Sequence, residues 1–187
     1  MKIYNFINTL FFLILLSNFS ATSQNNNSIL YNNVIGKNIH TALLHKINDP
    51  LSYPIIRLNS KEKLNLNFDD FSTDLQEYYY TLIHCNSDWT RSNLMQSEYI
   101  DGFFDNRIEN YEFSFNTLQK YTNYQLVFPE ENLQPILSGN YIISVFINNN
   151  PDEVVLQKRF MILDEKISVS AKVKRSTIID ERLYKQE

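Results

Sequence analysis

From residue 39 onward the chain breaks into apolar or alternating runs of about six to ten residues, divided by clusters of Asn, Asp, Ser, Pro or Gly. Runs of that length and spacing are the pattern of an all-β domain built from many short strands. They fall at 39–45, 53–58, 63–68, 78–85, 98–103, 111–115, 124–128, 141–147 and 154–163, with a further one at 167–173. Leu64, Leu66 and Phe68 alternate with Asn65 and Asn67, which predicts one buried and one wet face. Tyr111, Phe113 and Phe115 repeat the alternation against Glu112 and Ser114, and predict a buried face in the same way. The runs 78–85 and 141–147 are apolar on both faces, as expected of central strands covered from each side. No amphipathic helix competes with this pattern. Residues 90–99, where Leu94, Met95 and Tyr99 would allow one or two turns, read as a long loop between strands.

One turn narrows the class further. Ser138-Gly139-Asn140-Tyr141 leads directly into a central run, and a tyrosine at that place in immunoglobulin-like sandwiches ties the corner down through its hydroxyl. Tyr141 is therefore either such a corner or one more strand aromatic, and both favour a sandwich over a barrel. The expected fold is an all-β, immunoglobulin-like antiparallel β-sandwich. Aromatics supply much of its core, with 13 Phe, 12 Tyr and one Trp against only three glycines.

Ahead of the strands stands an export signal. Lys2 gives a positive start, and residues 7–16 are almost wholly apolar, the length of a signal segment and too short for a membrane span. Ala21 and Ser23 then offer a small-residue cleavage site before Gln24. The organisation expected is a signal peptide at 1–23, a flexible leader at 24–37, the sandwich at 38–164, and a linker or first strand of a following domain at 165–187. The single cysteine, Cys85, lies deep in the mature chain, so it neither carries a lipid at the mature N-terminus nor forms an internal disulfide. It reads as a buried, inert thiol. Acidic residues outnumber basic ones 21 to 17, which argues against nucleic acid as partner.

No catalytic constellation is visible. His84 stands beside Cys85, but neighbours on a strand point to opposite faces and cannot form a dyad. Asp69, Asp70 and Asp74 read as a solvated turn at a strand end, with a weak calcium site as the lesser alternative. His40 and His45, five apart on one strand, fall on opposite faces and share no ligand set; no metal and no cofactor is expected. The connection 86–104 holds Asp88, Trp89, Arg91, Tyr99, Asp101 and Phe103, a mixture of aromatics and charges suited to contacting a partner or a sugar. The structural alternative folds Trp89 back as a lid over the sandwich end and makes Asp88 a turn cap. A hydrolase would need two convergent carboxylates, for which Asp88, Glu98 and Asp101 are the candidates.

Several ordered blocks carry a resemblance: Pro54-Ile55-Ile56-Arg57-Leu58, LNLNFDD at 64–70, YYYTLIHCNSDW at 78–89, SEYIDGF at 97–103, IENYEFSFNT at 108–117, residues 121–129 and Ser138-Gly139-Asn140-Tyr141. Together they resemble the first domain of the type IX secretion system plug proteins. The resemblance implies a non-enzymatic, exported protein of Gram-negative bacteria, periplasmic and held at the outer membrane through a protein partner. That partner is the outer-membrane translocon barrel, whose pore the plug closes from the periplasmic side, with no insertion of its own into the membrane. Members of the family continue into further domains. The competing reading is an exported carbohydrate-binding β-sandwich module in which Trp89 and nearby tyrosines stack on sugar rings.

Overall fold

Leu64, Leu66, Phe68 and Asp70 point inward along strand β3 (Leu64–Asp70), while Asn65, Asn67 and Asp69 are half-exposed on the other side. The structure, a computed structural model, describes residues 32–174, 178–181 and 183–184. The expected signal peptide at 1–23 and the first part of the expected leader lie outside those residues. β3 belongs to a four-stranded sheet in which β1 (Ile39–Lys46) and β8 (Thr122–Phe128) flank it, and β7 (Asn110–Phe113) forms the far edge. The facing sheet runs β2 (Ile55–Arg57), β11 (Val154–Leu163), β10 (Gly139–Ile147), β4 (Tyr78–Cys85) and β6 (Asp105–Arg107). A ribbon of β5 (Ile100–Gly102) and β9 (Leu133–Pro135) and a single helical turn, α1 (Gln96–Tyr99), complete the domain. The order β1-β3-β8-β7 corresponds to strands A, B, E and D of the immunoglobulin arrangement, and β11-β10-β4-β6 to G, F, C and C′. The expected sandwich is present, with one departure from antiparallel pairing: β2 crosses to the second sheet and lies parallel to β11.

Aromatics from the two sheets interlock in the core. Phe68 stacks on its cross-strand neighbour Tyr124 and meets the edge of Tyr78 from the facing sheet, each at 5.2 Å. Phe128 meets Phe160 edge-on across the same gap, also at 5.2 Å. Edge-to-face contacts of this kind add about 0.5–1.5 kcal/mol to simple burial.

Asp70 overturns the expectation of a solvated acidic turn. Its carboxylate is buried and accepts three hydrogen bonds, from the Tyr78 hydroxyl at 2.9 Å, the Ser72 amide at 2.8 Å and the Ser72 hydroxyl at 2.6 Å. Asp69 instead accepts from Asn123 on the neighbouring strand at 2.7 Å, and no group of residues able to hold a metal ion occurs among those described. The 71–77 connection is pinned from a second side by Tyr124, whose hydroxyl donates to the Gln76 carbonyl at 2.8 Å.

Two further expectations are corrected. A bulge between His40 and Leu43, with Thr41 at a φ of 49°, adds one residue to β1, so that His40 faces Asp69 and His45 faces Asn65. Both histidines therefore share the outer face; His40 stacks on Phe71 and His45 reaches Asn67 at 3.3 Å. Second, β7 keeps its predicted alternation, since Tyr111 and Phe113 pair with buried Tyr124 and Thr122, but it is exposed along its whole length. The facing sheet stops at the short strand β6 and leaves that side of β7 uncovered. At the start of the described chain, the end of the leader is ordered against β11: Gln157 donates to the Asn33 carbonyl, and Ile35 and Gly36 both donate to Val155. Residues 167–173 alternate as expected yet form no strand and lie exposed.

Replacing Tyr78 by Phe leaves the ring in place and strips Asp70 of its inter-sheet donor. The cost expected in urea unfolding is about 1.5–3 kcal/mol, the range for hydrogen bonds to charged groups, against less than about 0.5 kcal/mol for Lys61→Ala on the surface.

Candidate functional site

Beyond Cys85 the chain folds back on itself. Asn86 and Thr90 close a turn through a 2.8 Å backbone bond, and Trp89 adopts a φ of 65° within it. The Asp88 carboxylate caps this turn by accepting from the Thr90 amide at 3.0 Å and the Thr90 hydroxyl at 2.6 Å. Those bonds hold its carboxyl below the usual range. Arg91 then bridges back to Cys85, and Ser92 donates to the His84 carbonyl at 3.0 Å. Trp89 is half-buried but does not cover the sandwich end as expected: it lies on the outer face of the five-stranded sheet, with the Arg159 guanidinium carbon 4.4 Å from its ring centroid. One face of the indole is thus occupied by a cation.

Further along, Glu98 accepts from the Met95 amide at 2.7 Å and starts the turn α1, which the loop reading had not included. Tyr99 at its end is a correction to the candidate surface, for it is only 1% exposed. Its ring packs against His84 and Tyr141, and burial raises its pKa. Tyr141 donates to the Leu137 carbonyl, four residues upstream, at 2.7 Å, which is the corner anticipated from the sequence. Gly139, at a φ of 146°, is required beside it, because a Cβ there would come within 2.7 Å of the His84 ring.

Asp101 and Phe103 project from the β5–β9 ribbon. Phe103 donates its amide to Asn132 at 2.7 Å and leaves its ring 67% exposed. Gly102 makes that approach possible: with a φ of 104°, any Cβ would collide with the Asn132 carbonyl. Ile136 joins this surface by donating to the Tyr99 carbonyl at 3.0 Å, and Met95 stands exposed on the same connection. Ile136 has no counterpart in the sequence reading, since it lies in no alternating run, whereas Met95 falls inside the 86–104 connection already read as a contact region. The site therefore consists of Asp88, Trp89 and Arg91 on the turn and Asp101 and Phe103 on the ribbon, with Tyr99 beneath. Asp88 is committed to Thr90 and Glu98 to Met95, while burial pushes the Cys85 thiol up to about 11. Trp89 under Arg159 and buried Tyr99 do not make the open stacking platform that a sugar would need.

Residues 39–164 match the family model of the type 9 secretion system plug protein 1st domain. The chain belongs to that family. Among solved structures, a hypothetical protein from Parabacteroides merdae ATCC 43184 resembles this plug-family chain at 32% identity and a TM-score of 0.73, over 78% of this chain and 37% of that one. The chain thus spans little more than a third of that relative's length. A second, the Pseudomonas fluorescens alkylpurine DNA glycosylase AlkC bound to DNA containing an abasic site analog, matches at 10% identity and a TM-score of 0.34, over 66% of this chain and 29% of that one, and carries no argument. No curated protein matches the chain. Membership ties the plug-family domain to type 9 secretion and so to the cell envelope. Among the described residues no helix is long and apolar enough to cross a membrane.

Two outcomes are expected here. Gly102→Ala forces a side chain into the Asn132 carbonyl at a left-handed φ, and should lower stability by about 1–3 kcal/mol in chemical unfolding. His84 is held below its ordinary pKa by burial, with a bond to Ser138 opposing. The unfolded chain takes up the His84 proton first, so stability is lost as pH falls below about 6.5 towards the lowered folded value. Unfolding midpoints measured between pH 7.5 and 5 should show this decline, and His84→Phe should flatten it.

Proposed function

We propose that this domain is a non-enzymatic component of the type 9 secretion machinery that binds the outer-membrane translocon barrel from the periplasmic side and closes its pore. The observation that carries the reading is the family match over residues 39–164, which spans the whole sandwich. The geometry of the 86–104 connection supports it. A rigid turn capped by Asp88, Trp89 held against Arg159 and an exposed Phe103 present fixed aromatic area, which suits a protein partner at low entropic cost. Asp88, Trp89, Arg91, Asp101 and Phe103 form the contact surface in this reading, together with Met95 and Ile136. Export by the segment 1–23 would deliver the domain to the periplasm.

Tagged mature protein incubated with outer-membrane extract of a bacterium that uses type 9 secretion should recover a very large barrel protein, identified by mass spectrometry. Phe103→Ser combined with Arg91→Glu should lower that recovery several-fold with an unchanged unfolding midpoint. Recovery of no barrel protein by the native chain would overturn the reading.

A further inference from the structure

The two ends of the sandwich differ. Leu163 pairs with Arg57, a short turn away from Leu64, so the chain leaves the fold at the Leu64 end. The turn between β7 and β8 lies at the opposite end, where Thr122 pairs with Asp70. There the molecule exposes more aromatic surface than anywhere on the 86–104 connection: Phe113 is 65% and Phe115 93% exposed, and Leu118 is fully so.

Among the described residues β7 is a free edge of its sheet, and its backbone groups turned away from β8 have no neighbouring strand. Tyr111 and Phe113 stand at core-facing positions that the facing sheet fails to cover. An edge of this kind is a template for an added strand, with backbone bonds supplying affinity and alternate side chains filling the open flank. Exposed Glu112 stands on this edge, on the face opposite Tyr111 and Phe113, with exposed Glu109 just ahead of the strand in a hollow shared with Leu126 and Val127 of β8, while nearby Arg107 is engaged by Glu77 at 2.8 Å. Two copies of this chain meeting edge to edge would bring those acids together, which disfavours self-pairing and favours a basic partner.

We propose that the β7 edge receives an extended segment of the translocon, with apolar side chains at alternate positions entering beside Tyr111 and Phe113 and a Lys or Arg between them meeting Glu112. This rests on the plug reading above and adds a second, strand-forming contact at the end of the sandwich opposite the 86–92 turn. The tip residues Phe115 and Leu118 extend the apolar surface past the end of the added strand.

The test places a photoreactive group at the edge, as Phe113→p-benzoylphenylalanine in the full chain, and irradiates it with outer-membrane extract. The expected result is a crosslink to the same large barrel protein, mapped by mass spectrometry to a segment that alternates apolar and basic residues. Glu112→Lys and Phe113→Ser, both at exposed positions, should each lower barrel recovery at least tenfold with unchanged unfolding midpoints. If the native chain recovers the barrel but position 113 crosslinks to nothing or to a second copy of this chain, or both variants recover it as the native chain does, this inference is overturned and the plug reading stands. If the native chain recovers no barrel, both fall.

Discussion

The Tyr78–Asp70 hydrogen bond is the constraint on which the arrangement of the two sheets depends. A carboxylate at the end of β3 is buried, and burial of a charge is costly unless donors surround it. Its donors come from the adjoining turn and from the first residue of the facing sheet, so both sheets must meet at that point in one register. Tyr78 also lies edge-on to Phe68 and Tyr124, which carries the same constraint into the aromatic layer. Burial and the Asp70 charge raise the Tyr78 pKa, so its hydroxyl stays protonated, and a donor to Asp70, beyond the ordinary tyrosine range.

Most of the sandwich was legible because its central strands alternate cleanly or are apolar throughout. β4 and β11 have the bounds read from the sequence, and β3, β8 and β10 differ by one or two residues at an end. β6, with the sequence Asp105-Asn106-Arg107, shows no apolar periodicity and is a strand only because β4 offers it an edge. β7 illustrates the converse: its alternation correctly assigns Tyr111 and Phe113 to the core side, but whether that side is covered depends on how far the other sheet extends. Asp70 was misjudged for a related reason, since its partner Tyr78 lies across the core, and the bulge at Thr41 reversed the parity on which the two histidines had been assigned.

The site was legible in part. Asp88 as a turn cap and Tyr141 as a corner follow from local chemistry within four residues or from a recurring strand-start pattern, whereas Trp89 lies against Arg159 of a distant strand and not over the sandwich end. Tyr99 and Ile136 do not follow in this way, because their positions are set by α1 and by the β5–β9 ribbon, elements too short to mark the sequence. Gly102 could be noticed as one of only three glycines, but its reason, the Asn132 carbonyl, lies thirty residues on.

The ordered end of the leader has a mechanical consequence. Residues 32–36 run antiparallel to β11, with Asn32 beside Arg159 and Gly36 beside Val155, so the chain arrives and departs at the same end of the sandwich. Tension applied between Asn32 and Glu165 would open those hydrogen bonds in succession, as a zipper, instead of loading them together in shear. β11, which carries that pull, is held by β10 along its length and by β2 at its end, so the leader would yield before the sheet does.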